Sequence, residues 1–200
     1  MAVIPSRLLR RPASRPLSFS DENAAKHYLE NLLTPFFFLK FEMWCRHPRA
    51  NNQLRVDYVA KAKPNVAFPF DWFCVEVKKS CASGGAYNAA HKQVIDYTFC
   101  KIDDPRPDLA RIDGARVERI YLFRKGADDD LTGAERGSHD AFWVNLLAGK
   151  FHVGMICEIR GLPAFHACAD RQSCPWHGAR RSKHNTRQIV GSGGAERIVS

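Results

Sequence analysis

The stretch Trp72-Phe73-Cys74-Val75-Glu76-Val77-Lys78-Lys79 sets a carboxylate and an ammonium two residues apart inside an apolar, β-branched run. In an extended chain, positions i and i+2 point to the same side. Glu76 and Lys78 therefore share a face, and Val75 and Val77 turn to the opposite face, into the core. Charged side chains seldom occupy so apolar a strand unless something offsets their desolvation. A divalent cation would do so, with the glutamate as ligand and the lysine acting on a nearby phosphate or water. Taken alone, Glu-x-Lys is also the pattern of a solvated strand face.

A second carboxylate lies upstream, in Leu54-Arg55-Val56-Asp57-Tyr58-Val59-Ala60. This reads as a short strand with Val56 and Tyr58 on one face and Arg55, Asp57 and Val59 on the other. Aspartate is disfavoured in strands, so an aspartate here points to a two-carboxylate metal site. Residues 61–71 contain Pro64-Asn65 and Pro69 and read as a loop. The two strands can then pair as a long-looped hairpin, which brings Asp57 beside Glu76.

The elements that must position these groups follow from periodicity. Residues 21–33 read as a helix capped by Ser20, with an acidic first turn and an apolar stripe of Ala25, Tyr28, Leu29, Leu32 and Leu33. Glu30 lies near that stripe. Residues 36–44 read as a buried strand after Pro35. Residues 86–99 read as a second helix entered through Gly84-Gly85, with Gln93 and Tyr97 four apart on one face and His91 and Lys92 close by.

Helix with Glu, strand, strand with Asp, strand with Glu-x-Lys, then helix: this order resembles the core of the PD-(D/E)XK nuclease superfamily. Gln93-Val94-Ile95-Asp96-Tyr97 is similar to the Gln-x-x-x-Tyr motif of its RecB-type and phage exonuclease branches. The resemblance spans roughly residues 20–125. It implies a restriction-endonuclease-like α+β core, a central mixed β-sheet flanked by helices. It further implies that Asp57, Glu76 and the carbonyl of Val77 hold Mg²⁺, with Mn²⁺ able to substitute, and that Lys78 positions or activates the attacking water. Glu30 would be the helix acid, with Glu22 and Glu42 as alternatives, and Asp71 competes with Asp57. Gln93 and Tyr97, with Lys79 and Lys92 beside them, would touch nucleic-acid phosphate or, for Gln93 and Tyr97, brace the site. The chemistry is coherent without the family: a hard cation on oxygen ligands lowers the pKa of water and neutralises charge on a phosphate, and a lysine beside it stabilises negative charge.

The remaining chain reads as completion of one domain over residues 20–177. Residues 116–123 and 152–159 read as strands and 138–148 as a helix ended by Gly149. Glu158-Ile159-Arg160 repeats the carboxylate-x-cation spacing but has neither an Asp strand before it nor a Gln-x-x-x-Tyr helix after it, and reads as an ordinary strand end. Cys168, Cys174, His177 and His184 offer zinc-type ligands, with Cys174-Pro175-Trp176-His177 as a Cys-x-x-His pair, but Cys168 and Cys174 are six apart, not a finger spacing. A loop in which Trp176 packs is the plainer reading.

Seven cysteines, an odd number set mostly within predicted elements, suggest free thiols in a reducing, cytoplasmic setting. No apolar run approaches a membrane span. The 200 residues carry a formal net charge of +9, which favours a polyanionic partner, DNA first. Residues 1–19 read as a basic disordered arm and 178–200 as a flexible basic tail. Two functions are compatible with these features. One is a metal-dependent DNA nuclease of phage or mobile-element type, either an exonuclease or a structure-specific endonuclease such as a junction resolvase, the last a homodimer. The other is a non-catalytic nucleic-acid-binding protein, a decayed nuclease or a zinc-stabilised module.

Overall fold

The computed structural model describes residues 19–49, 52–68, 70–79, 84–124, 150–159, 161–167, 186–189 and 196–199. Helix α1 (Glu22–Leu33) opens on Asp21, whose carboxylate accepts the Ala24 N–H at 2.8 Å. Asp21 is thus the cap rather than Ser20, which donates its hydroxyl to Asp21. An aspartate there satisfies a free amide and complements the positive end of the helix. Strands β1 (Phe37–Arg46), β2 (Gln53–Ala62) and β3 (Trp72–Lys78) follow, then α2 (Gly84–Tyr97). The chain continues through β4 (Lys101–Ile102), β5 (Ile120–Arg124), β6 (Val153–Ile159), β7 (Leu162–Ala167), β8 (Thr186–Ile189) and β9 (Glu196–Val199).

These strands form one mixed sheet in the order β4-β1-β2-β3-β5-β6-β7-β8-β9. The fold is α+β, and β3 lies at its centre, antiparallel to β2 and parallel to β5, which is parallel to β6. A strand covered on both faces should be almost wholly apolar. Residues 73–77 of β3 are indeed all buried, Glu76 among them.

Two apolar clusters cover the two faces. Beneath α1, Ala25, Leu29 and Leu33 meet Val75 and Val77, with Phe37, Phe73, Tyr121 and Phe165 in edge-on ring contacts. Beneath α2, Ala90, Val94 and Tyr97 meet Val56, Val59, Cys74 and Leu122. Cys45, Cys74 and Cys100 are free and buried. Tyr28 of α1 donates its hydroxyl to Glu158 at the end of β6, which pins the helix to the far half of the sheet. Glu158 also accepts the Gly161 N–H at 3.0 Å, and Gly161 has φ 78° at the β6–β7 turn, where a side chain would be strained. The second Glu-x-Arg pattern is therefore a strand end with a structural acceptor.

Strands β1 and β2 exchange faces midway. Phe41 pairs with Tyr58 and packs on its ring, and Tyr58 belongs to the cluster beneath α1. Two residues on, Met43 pairs with Val56, and both belong to the cluster beneath α2. Between them stands Glu42 at φ 53°, a left-handed conformation that non-glycine residues rarely adopt. The predicted sharing of a face by Val56 and Tyr58 fails here, because a strict period of two assumes an unbroken strand. Arg106 holds the turnover in place. It donates to the carbonyls of Phe41 at 2.8 Å and Glu42 at 3.1 Å and to the carboxylate of Asp104. The Arg106 guanidinium, with the amides of Trp44 and Arg106, holds the buried Asp104 carboxyl down to about 2.

Thr186–Ile189 and Glu196–Val199 extend the sheet inside the segment that composition assigns to a flexible tail. Gly191-Ser192-Gly193-Gly194 lies between two short β-compatible runs, which is hairpin spacing as much as linker composition. The helix expected at 138–148 and the arm at 1–18 lie outside the described residues. Among the described residues no helix is long and apolar enough to cross a membrane.

Replacing Arg106 by alanine strands the buried Asp104 carboxylate and opens two carbonyls of an edge strand. Arg106 is itself half exposed, so leaving the buried acceptor without it costs about 1–3 kcal/mol. Urea denaturation of Arg106→Ala is expected to show a loss of that order, and a loss below about 1 kcal/mol would mean the clamp is not formed.

Candidate functional site

The β2–β3 ladder runs from Lys61↔Trp72 to Tyr58↔Val75. One step further, the register sets Asp57 across from Glu76. At that level a side chain takes over from the backbone: Val77 N–H donates to Asp57 Oδ2 at 2.8 Å. The strands part there, with Asp57 on one prong of the fork and Glu76 on the other.

Glu76 is 2% exposed, on the α2 side of the sheet next to Tyr97, with Val75 and Val77 on the opposite side as predicted. Lys78 Nζ reaches Glu76 Oε1 at 2.7 Å, so the i, i+2 pair does share a face. Glu76 Oε2 is buried without a hydrogen-bond partner. Burial pushes the Glu76 carboxyl up to about 7, and repulsion from Asp57 adds to the rise despite the opposing Lys78. Burial works against charge on Lys78 too, but attraction from Glu76 outweighs it and holds the ammonium above the ordinary lysine value.

Lys26, from the first turns of α1, is the group that sequence reasoning missed. Its Nζ lies 2.6 Å from Asp57 Oδ1 and 3.6 Å from Glu22. Burial opposes its charge, yet the bond to Asp57 outweighs this and raises the ammonium. The available signal was the i, i+4 row Glu22-Lys26-Glu30 along the margin of the apolar stripe. That row also carries two of the acids the sequence offers as the helix acid. Glu30 lies one turn past Lys26, next to His27 at 3.7 Å. Glu22 is the helix carboxylate that acts on both Glu76 and Lys78. Glu42 is turned to Arg55 at 3.3 Å. Asp71 precedes β3, at the opposite end of the strand from Lys78.

Gln93 and Tyr97 meet as their spacing requires: Gln93 donates to the Tyr97 hydroxyl at 2.7 Å, which donates to the Arg55 carbonyl at 2.9 Å. Tyr97 is buried, so of the two roles open to the pair it takes bracing. It ties α2 to β2 two residues before Asp57. Burial, and then the nearby Glu76, raises its phenol above the ordinary value. Lys92 is exposed on α2, and Lys79 is exposed just past β3, close enough to act on Asp21.

Among the described residues no group of three or more His, Cys, Asp or Glu side chains is placed to hold a metal ion. Cys168, Cys174, His177 and His184 lie outside the described residues, and so does any zinc site they would form. No protein-family model, curated protein or solved structure matches the chain.

A carboxyl raised from 4.5 to about 7 in the folded state keeps a proton that the unfolded chain has released. Without divalent cations, its contribution favours the fold below about pH 4.5 and is lost as pH rises through 7, by an amount on the order of 3 kcal/mol. Denaturation of wild type beside Glu76→Gln is expected to show that fall only in wild type. Parallel pH profiles would mean that Glu76 is solvated.

Proposed function

We propose that the chain is a metal-dependent nuclease that hydrolyses DNA phosphodiester bonds, built on a restriction-endonuclease-like core. The observation that carries this reading is the buried Glu76 carboxylate, with one oxygen unpartnered, beside Asp57 at a fork in the sheet. A carboxylate desolvated this far is costly without a counter-charge. The donors suit Mg²⁺ or Mn²⁺, which need only one or two carboxylates and complete their shell with water. That few-ligand habit makes the lack of a third acidic or imidazole ligand among the described residues tolerable.

When bound, such an ion neutralises phosphate charge and makes a water easier to deprotonate. The residues supply the rest. Asp57 is aimed by the Val77 amide. Lys78 is held at the fork by Glu76. An ammonium held above the ordinary lysine value gives no base at neutral pH, so Lys78 donates: it orients a water and stabilises negative charge on the phosphate. The basic net charge favours a polyanion over a neutral substrate.

The first test is cleavage of labelled linear duplex, single strand, closed circle and four-way junction with Mg²⁺ or Mn²⁺. Wild type is expected to cut at least one of them, with Lys78→Ala lower by about 100-fold or more. Which substrate is cut separates exonuclease from junction resolvase. Folded wild type that cuts none, while binding DNA, would favour the non-catalytic binding protein.

Lys26 sits where a cation would approach Asp57, and Glu22 offers it a second resting place. Lys26→Met is therefore expected to tighten Mn²⁺ binding by about tenfold, the effect of roughly 1.4 kcal/mol, read by Mn²⁺ spin resonance. Unchanged affinity would place the ion away from Asp57.

A further inference from the structure

The parallel strands β3, β5 and β6 all begin at the edge of a cavity of about 700 Å³. This lies at the end of the strands opposite Lys78, and about 13 Å of extended chain separates Trp72 on its wall from Glu76. The volume falls within the roughly 300–1,000 Å³ typical of small-molecule sites. Three observations say what would fill it. Four aromatic residues, Phe70, Trp72, Phe99 and Phe151, line it beside polar and charged groups. Arg116, Arg119 and Lys150 bring three fixed positive charges against two negative ones, Asp71 and Glu118. Arg119, its guanidinium 4.3 Å over the Phe70 ring, has a buried Nε without a hydrogen-bond partner.

A buried guanidinium N–H without an acceptor is costly, so an incoming anion gains by supplying one. Aromatic walls favour a flat, stacking body. His152, on the same rim, holds φ 58°, an outlier of the sort that collects at binding sites. We propose that this cavity binds a nucleotide, with the base stacked among the aromatic rings and the phosphate at Arg119 and Lys150. The chemistry is shared by a free nucleotide and by one nucleotide of a DNA strand. The inference does not depend on hydrolysis at Glu76.

The test is calorimetric titration of the full chain with dAMP, inorganic phosphate and a short 5′-phosphorylated single strand, in chelator, so that no cation-dependent binding at Asp57 and Glu76 contributes. Binding of dAMP is expected, tighter than phosphate by at least tenfold. Arg119→Met and the exposed Lys150→Ala should each weaken it by about tenfold, while Glu76→Gln leaves it unchanged. A strand bound much more tightly than dAMP, with the same sensitivity to both variants, assigns the cavity to DNA, and equal affinity assigns it to a free nucleotide. The proposal is overturned if neither dAMP nor the strand binds at millimolar concentration, if phosphate binds as well as dAMP, or if Lys150→Ala, with its fold intact, binds as wild type does.

Discussion

The arrangement depends on one unfavourable act: the burial of the Glu76 carboxylate in the central strand of the sheet. Its neighbours along the strand, Val75 and Val77, and Leu122 beside it on β5 are apolar, and solvent reaches only 2% of the residue. In such surroundings charge is tolerated only with close partners. Lys78 supplies one of them, and Lys26 does the same for Asp57. The four groups form two short ion pairs side by side, with Glu22 close enough to act on the set. Each carboxylate has one ammonium partner, but Glu76 Oε2 is left over. The leftover acceptor distinguishes this cluster from an ion-pair network whose only task is to hold strands together.

The fold must also break its own regularity to open the site. Continuous pairing of β2 with β3 would send the Val77 amide to a backbone carbonyl. It goes to the side chain of Asp57 instead, at the level where β1 and β2 exchange faces around Glu42. A left-handed glutamate costs on the order of 1–3 kcal/mol, and the Arg106–Asp104 clamp is what keeps it there. The fork, the turnover and the clamp belong to one construction running from the sheet edge to its centre. Tyr97 closes it from the other face, bonding the Arg55 carbonyl within the same short stretch of β2.

Much of this was legible in the residues, and the division follows physical range. Glu76 with Lys78, and Gln93 with Tyr97, are set by the repeat of one element, and both pairs meet as their spacings require. Asp57 beside Glu76 needed only a hairpin between successive strands. Lys26 reaching Asp57 depends on how α1 is docked, and the docking includes Tyr28 bonding Glu158, 130 residues apart. Arg106 reaching Glu42 spans 64 residues. No periodicity announces contacts of that range. The face of Val56 was misread because β1 and β2 turn over together between the Phe41–Tyr58 and Met43–Val56 pairs, and a strict period of two assumes no such break. Thr186–Ile189 and Glu196–Val199 pair as strands within the segment read as a tail, since a glycine- and serine-rich stretch does not by composition distinguish a linker from a connection between strands.

Glu158-Ile159-Arg160 shows why spacing alone does not make a site. Like Glu76, Glu158 is near the end of a strand, but β6 ends beside the turn into β7, and both carboxylate oxygens are engaged, one by Tyr28 and one by the Gly161 amide. Each Glu158 oxygen thus serves a local donor that fastens the turn and the helix. Glu76 lies two strands away on β3, at the level where the β2–β3 ladder gives way to the Asp57 side chain, and its second oxygen is buried without a hydrogen-bond partner. The same spacing thus yields a fastening at one place and a poised carboxylate at the other, and the difference lies in whether the neighbouring strand stays paired.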